Sequence, residues 1–183
     1  MAPKVLIPIS TGFEEIETTT IIDVLRRAGV TVTVAGLTGG LIQGRSAIRI
    51  QPDCELDDAL KTMDYSAVIL PGGQPNARTL SKDSRILSLL KQMDTAGKTV
   101  AAICAAPAAL TQAGVLHNRK ATIFPGCLDD LPPNSYVEQD VVISDNIITS
   151  RGPGTAMRFA LTLVEKLCGG TVASKVATAL IAP

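Results

Sequence analysis

The sequence contains no tryptophan, only two tyrosines and three phenylalanines, and a single histidine. The core must therefore be built from aliphatic side chains, and there is no aromatic platform on which nucleic-acid bases could stack. Lys and Arg number 17 and balance 17 Asp and Glu, so no net charge attracts nucleic acid or an anionic membrane. These absences argue against a dedicated nucleic-acid-binding protein.

Apolar runs long enough to cross a bilayer are also missing, and the N-terminal residues show neither a charged n-region nor an apolar h-region. We therefore expect a cytoplasmic protein that does not engage membranes. Cys54, Cys104, Cys127 and Cys168 include no Cys-x-x-Cys pair, which argues against a zinc site or a thioredoxin-type couple. In such a chain the cysteines are expected to be free thiols. No metal or cofactor is predicted.

Stretches typical of strands alternate with stretches typical of helices along all 183 residues, without a linker or repeat. The pattern predicts strands at 4–9, 30–37, 48–50, 67–70, 99–103, 141–144 and 147–149, and helices at 14–28, from Asp83 to Gly97, after Cys104, at 156–167 and at 171–180. This alternation predicts one α/β domain, 1–183, with a mostly parallel sheet covered on both faces.

Cys104 stands where a buried strand gives way to a helix whose first turn contains Pro107. In a parallel sheet, ligands bind beyond the carboxyl ends of the strands. Three loops fit that description: the one after Ile9, the turn at Gly72-Gly73, and the turn at Cys104. A thiol on such a turn, at the positive end of a helix, is a candidate nucleophile. Cys104 as a structural, buried cysteine is the alternative.

An activated thiol needs a hydrogen-bond donor, because a helix terminus alone stabilises the anion too weakly. The only histidine, His117, falls in a predicted surface turn, which leaves Glu14, Glu15 and Glu17. An ionised glutamate would raise the thiol pKa, whereas a protonated one can donate to the thiolate. We therefore predict that a buried, neutral Glu17 donates to Cys104.

Two glycine-containing segments are ambiguous. The Gly72-Gly73 pair could offer N–H groups to a developing oxyanion, or it could be an ordinary strand-to-helix turn. Residues 151–155 superficially resemble a phosphate loop, but the spacing of that motif is absent, and we interpret them as the start of the long helix.

Five motifs occur in one order along the chain: Gly-Phe-Glu-Glu-Ile-Glu at 12–17, Arg-Arg-Ala-Gly at 26–29, Leu-Pro-Gly-Gly at 70–73, Ala-Ala-Ile-Cys-Ala-Ala-Pro at 101–107 and Thr-Ser-Arg-Gly-Pro-Gly-Thr at 149–155. Together they resemble the ThiJ/PfpI superfamily, and within it the DJ-one branch with its bacterial YajL-like members. The resemblance covers essentially the whole chain. It implies a single ThiJ/PfpI domain of the class I glutamine amidotransferase-like type.

The resemblance further implies a flavodoxin-like three-layer sandwich with a nucleophile-elbow cysteine, and a homodimer. It places the reactive cysteine at Cys104, the protonated glutamate at Glu17, and pocket or oxyanion groups at Gly72, Gly73 and Ala105. Ile16, Arg27 and Arg151 are assigned to the dimer contact or to support of the pocket.

The activities that the resemblance implies are cofactor-free. They are a glutathione-independent glyoxalase that converts methylglyoxal to lactate, a deglycase that removes early glycation adducts from proteins and nucleotides, and redox-regulated chaperoning. Ala105 stands where the protease branch has a histidine, which argues against a peptidase. Phe124 stands where some glyoxalase members have a histidine, which argues against fast proton shuttling.

Three hypotheses follow. The first is a stress-response enzyme that acts on methylglyoxal, glyoxal or their early adducts. The second is a redox-sensing chaperone whose cysteine is oxidised to the sulfinic acid without substrate turnover. The third is a binding module that uses the fold alone.

Overall fold

The computed structural model describes residues 2–182; Met1 and Pro183, the ends of the predicted domain 1–183, lie outside the described residues. Nine strands are present in that range: β1 (Lys4–Ile9), β2 (Thr31–Gly36), β3 (Ile42–Gln43), β4 (Arg49–Ile50), β5 (Cys54–Glu55), β6 (Ala67–Leu70), β7 (Thr99–Ile103), β8 (Val141–Ser144) and β9 (Ile147–Ser150). Seven of them form one sheet in the order β5-β2-β1-β6-β7-β9-β8. Every pairing in this sheet is parallel except β8 with β9.

Helices flank this sheet. They are α1 (Glu15–Arg27), α2 (Leu56–Ala59), α3 (Gln74–Leu80), α4 (Ser84–Thr95), α5 (Pro107–Gln112), α6 (Ala156–Cys168) and α7 (Gly170–Leu180), with short 3-10 turns at Pro125–Asp130 and Pro153–Thr155. Helix α6 packs between α1 and α7, while α5 packs against α3 and α4. A mostly parallel sheet flanked by two helix groups confirms the predicted flavodoxin-like α/β class.

Local sequence signals fix several boundaries. Helix α1 ends because Gly29 adopts a φ of +79°, which lets its N–H bond to the carbonyl of Arg26. Asp83 caps α4 as predicted, since its side chain accepts the N–H of Arg85 at 2.9 Å. Asp145 forms the turn of the β8–β9 hairpin with a positive φ of 57°. Such signals depend on adjacent residues, and this explains why the sequence predicts these features.

Other elements differ from the prediction. The exposed strand predicted at 48–50 is β4, and it pairs with β3 in a separate antiparallel ribbon. Helix α3, the short helix α2 and the 3-10 turn at Pro125–Asp130 were not predicted. These elements are short, so they lack the run of apolar periodicity by which longer helices are identified.

The core is aliphatic, as the composition requires. Among the described residues its aromatic members are Phe13, Phe159 and Tyr65. No helix within residues 2–182 combines the length and apolar character needed to span a membrane. Because β1, β6 and β7 are neighbours in the sheet and run parallel, their carboxyl ends meet at one edge. The loops after Ile9, Leu70 and Ile103 therefore converge, as predicted.

Candidate active site

Cys104 occupies a strained turn between β7 and α5. Its φ is +63°, a left-handed value that is rare for a residue with a side chain. Both backbone groups are held: its N–H donates to the carbonyl of Ser150 at 2.9 Å, and its carbonyl accepts the N–H of Phe124 at 2.9 Å. The side chain is consequently directed out of the sheet edge, a geometry consistent with the predicted nucleophile elbow.

At the start of α1 the charged side chains are buried and the apolar one is exposed, the reverse of the usual pattern. Glu14, Glu15 and Glu17 are 6%, 5% and 0% exposed, whereas Ile16 between them is 57% exposed. Buried carboxyl groups are costly unless they are paired. Glu14 forms an ion pair with Arg45 at 3.1 Å, and Glu15 accepts two N–H groups from the loop that follows β3. These two acids therefore anchor the β3–β4 loop.

Glu17 is the acid that reaches Cys104. Its Oε2 accepts the N–H of Gly72 at 2.7 Å. Gly72 lies between the two side chains, since a Cβ atom built there would fall 2.5 Å from Glu17 Oε2 and 2.6 Å from Cys104 Cβ. Oε1 of Glu17 is buried without a hydrogen-bond partner of good geometry in the described part of the chain. The Cys104 thiol is near enough to this carboxyl group to lower its pKa.

The two groups resist being charged together. Burial raises the pKa of Glu17 to about 7, despite the opposing effects of the Gly72 N–H and the thiol. Burial and an ionised Glu17 raise the pKa of Cys104 to about 12, although the N–H groups of Ala105 and Gly73 lower it. A proton on Glu17 removes the repelling charge and provides a donor. The thiolate can therefore form near neutrality only beside a protonated Glu17.

The helix terminus adds little to the stability of the Cys104 thiolate. Helix α5 has only six residues, and the thiol of Cys104 is 9% exposed. A short helix has a weak dipole, and desolvation of a buried thiol disfavours its anion. Any lowering of the thiol pKa thus depends on Glu17 and on the two N–H groups.

The N–H groups of Gly72 and Gly73, both predicted as oxyanion donors, have different partners in the structure. The N–H of Gly72 is already committed to Glu17, so it is not free to hold a developing oxyanion, which corrects that part of the prediction. The N–H groups of Gly73 and Ala105 instead face Cys104 Sγ. They are the donors that a reacting oxygen on the sulfur-bound carbon could reach.

Gly73 is expected to be intolerant of substitution. Its φ is +84°, and a Cβ atom would lie 2.1 Å from the carbonyl oxygen of Gly12. We expect Gly73→Ala to lower the free energy of unfolding by about 2–5 kcal/mol, from backbone strain and overpacking. Urea denaturation followed by circular dichroism measures this. Gly154→Ala, whose Cβ would meet open space, is the matched control. Equal stabilities of the two variants would contradict the expectation.

Cys104 opens into a cavity of about 520 Å³. Its lining residues are Arg45, Gly73, Gln74, Pro75, Cys104, Ala105, Phe124, Gly126, Cys127 and Pro153. The structure thus brings Cys104, Glu17, Gly72, Gly73 and Ala105 together at one edge of the sheet. No cluster of three or more metal-ligating side chains occurs between residues 2 and 182.

The predicted supporting residues lie outside this cavity. Ile16 projects from α1 into solvent. Arg27 pairs with Asp23 at 2.7 Å on the surface of the same helix, and Arg151 pairs with Glu138 at 2.9 Å. None of the three lines the cavity, and their role at a dimer contact or in support of the pocket stays a prediction. His117 lies in an exposed turn, as predicted.

The sequence did not place Arg45 or Cys127 in this cavity, whereas Phe124 was expected where some glyoxalase members have a histidine. Arg45 reaches the cavity because Glu14 and Glu15 hold its loop, which only the tertiary structure reveals. Phe124 forms part of the wall and lies against Gly126 and Gly152. Cys127 also lines this cavity, although no sequence motif distinguishes it from the other cysteines outside the Cys104 turn. Its proximity to the Phe124-Pro125 segment was the one available signal.

Comparisons with known proteins find related sequences and structures over nearly the whole chain. The chain is 42% identical over 182 residues to the Parkinson disease protein 7 homolog of Danio rerio, covering 97% of this chain and 96% of that protein. It is 39% identical to the glutathione-independent glyoxalase DJR-1.2 of Caenorhabditis elegans, covering 85% and 83%. The solved structure of oxidized Toxoplasma gondii DJ-1 matches with a TM-score of 0.94, 36% identity and 99% coverage of both chains.

The family model for the DJ-1/PfpI family matches residues 3–166. This match and the full-length similarity confirm the resemblance seen in the sequence motifs. The chain therefore belongs to the DJ-1/PfpI family.

Proposed function

We propose that this protein is a cofactor-free stress-response enzyme that acts on methylglyoxal, glyoxal or their early glycation adducts. The observation that carries the proposal is that the fully buried Glu17, whose pKa is raised to about 7, lies across Gly72 from Cys104, which lines an open cavity. Similarity to a glutathione-independent glyoxalase supports the substrate class. A pair of groups that share one proton suits a reaction in which one acts as nucleophile and the other transfers protons.

The reaction can be written with the residues of this site. Cys104 Sγ attacks the aldehyde carbon of methylglyoxal, and the new oxyanion takes the proton of Glu17 while the N–H groups of Gly73 and Ala105 hold it. The Glu17 carboxylate then removes the proton from that carbon and delivers it to the neighbouring ketone carbon, while the hydroxyl proton moves from the first oxygen to the former ketone oxygen. This transfer converts the hemithioacetal to a lactoyl thioester. Water hydrolyses the thioester and releases lactate and the free thiol.

The cavity is large enough for the proposed substrates to include glycation adducts. A space of about 520 Å³ is large for a three-carbon dicarbonyl and leaves room for part of a glycated side chain or nucleotide. In the deglycase reaction Cys104 Sγ would displace the amine from the hemiaminal carbon of the adduct: the C–S bond forms, the C–N bond breaks, and the amine leaves with the proton of Glu17, giving the same hemithioacetal.

Lactate release tests the proposal directly. Purified protein and methylglyoxal are incubated without glutathione or metal, and lactate is measured by proton NMR. We expect lactate to accumulate in proportion to the protein concentration. If lactate forms no faster than in buffer, the enzymatic proposal fails.

The redox-sensing chaperone is the second candidate. Phe124 in the cavity wall offers no proton, which would slow the glyoxalase reaction, and the related Toxoplasma gondii DJ-1 is known in an oxidized form. This candidate requires oxidation of Cys104 in a protein that releases no lactate. Because the cysteines are free thiols, we also propose a reducing compartment, the cytoplasm.

We further propose a homodimer that includes the surface around Ile16. Ile16 and Ile48 are more than half exposed, and the β3–β4 loop that carries Ile48 is anchored to the first turn of α1. Exposed apolar residues so close together are typical of an interface. Ile16→Glu is expected to shift the protein from dimer to monomer in sedimentation-velocity runs. Leu41→Glu is the control at an equally exposed site, and a monomeric wild type would refute the proposal.

A further inference from the structure

Cys127 is a second thiol in the wall of the Cys104 cavity. It is the only buried residue in the segment 124–130. The segment is tied to the nucleophile itself, since the Phe124 N–H donates to the Cys104 carbonyl at 2.9 Å and the Cys127 N–H donates to the Phe124 carbonyl at 2.8 Å. Two backbone hydrogen bonds through Phe124 therefore link Cys104 to Cys127.

We propose that Cys127 is the resolving thiol of Cys104, so that a hydroperoxide converts the pair to an intramolecular disulfide. The Cys104 thiolate first attacks a peroxide oxygen, forming an S–O bond as the O–O bond breaks and hydroxide or an alkoxide leaves. The Cys127 sulfur then attacks the Cys104 sulfur. The S–S bond forms, the S–O bond breaks, and the oxygen departs as water with the proton of Cys127.

The segment that carries Cys127 can adjust to bring the sulfur atoms together. It is a short 3-10 turn broken at Cys127, where φ is −127°. Gly126 precedes the cysteine, and the neighbouring side chains are exposed rather than packed in the core. A disulfide requires Cβ atoms about 3.5–4.5 Å apart, and the proposal requires this surface turn, rather than the sheet, to shift to that distance.

The reactive role requires Cys104 to ionise, whereas the resolving role does not require Cys127 to ionise before the oxidant has reacted. Burial raises the pKa of Cys127, and Asp130 adds to this effect while Arg78 opposes it. Cys127 is therefore expected to react with the oxidant more slowly than a Cys104 thiolate beside a protonated Glu17. Cys54, on an edge strand, and Cys168, at the end of α6, lie outside the cavity.

The inference rests on the reactive Cys104 of the proposed function, and it adds a consequence. A disulfide is reversible by thiols, whereas the sulfinic acid is not. Formation of the disulfide would divert Cys104 from irreversible oxidation and preserve the enzyme. A thiol held in the same cavity has an effective concentration in the millimolar range, so at similar rate constants it outcompetes about 0.1 mM peroxide roughly tenfold.

The test compares the full-length wild type with Cys127→Ser and Cys127→Ala, each treated with hydrogen peroxide, alkylated under denaturing conditions and digested with trypsin. Cys104 and Cys127 fall in different tryptic peptides, 99–119 and 121–151, so a cross-linked pair is identifiable by mass. Cys54→Ser is the control that retains both thiols.

In the wild type and in Cys54→Ser we expect the cross-linked peptide, reversible by dithiothreitol. In both Cys127 variants we expect Cys104 with two added oxygen atoms, at about ten times the wild-type occupancy. If wild type and Cys127 variants accumulate the sulfinic acid equally, the inference is overturned while the reactive thiol stands. If Cys104 is not oxidised in any protein, both the inference and the reactive thiol are refuted.

Discussion

Cys104→Ser is expected to reduce lactate release from methylglyoxal to the rate in buffer, a loss of at least about 10³-fold. A serine hydroxyl is far less acidic than a thiol and has no base beside it, because the neighbouring Glu17 is expected to hold its proton. The measurement is the initial rate of lactate formation by proton NMR at matched protein concentration.

Cys168→Ser is the matched control for this substitution. Cys168 ends α6, outside the cavity, and the same exchange of sulfur for oxygen there should leave the rate within about twofold of wild type. Near-ultraviolet circular dichroism of both variants establishes that each is folded. Equal rates for wild type and a folded Cys104→Ser would exclude covalent catalysis by this residue.

Glu17→Gln is expected to lower the same rate by about 10²–10⁴-fold, the usual contribution of a general acid–base group. The amide can still accept the Gly72 N–H and can donate a hydrogen bond to sulfur, but it cannot pass a proton to the oxyanion or take one from carbon. The geometry of the site is retained while the proton transfer is lost. A variant that keeps the wild-type rate would show that Glu17 is not the proton carrier.

The same variant also changes the pH dependence of stability. The pKa of Glu17 rises from 4.5 to about 7 on folding, so between these values the folded state binds more protons than the unfolded state. The free energy of unfolding of the wild type therefore falls as pH rises through this range. Glu17→Gln removes this contribution. Urea denaturation at about pH 4, 5.5, 7 and 8 measures this contribution. The free energy of unfolding of Glu17→Gln is expected to change less with pH than that of the wild type.

Much of the fold could be predicted because its signals are local. The strand at Lys4–Ile9, the cap at Asp83 and the stop at Gly29 each depend on a few adjacent residues. The convergence of Cys104 with the loop at Gly73 also follows from the rule that carboxyl ends of parallel strands share an edge.

The remainder of the site depends on contacts between distant segments. Arg45 enters the cavity only because buried acids of α1 hold its loop, 31 residues further along the chain. Cys127 lies on a turn too short for periodicity to identify. The hydrogen bond from the Gly72 N–H to Glu17 also depends on tertiary structure. A sequence motif cannot distinguish an occupied donor from a free one.

The central claim is that Glu17 holds the proton while Cys104 is the anion, and the ultraviolet absorbance of the thiolate tests it most directly. The difference between wild type and Cys104→Ser, followed across pH, reports the ionisation of this one thiol. We expect the Cys104 thiolate to be present at neutral pH in the wild type. Absence of the signal until the pH approaches about 12, the value expected beside an ionised Glu17, would contradict the claim.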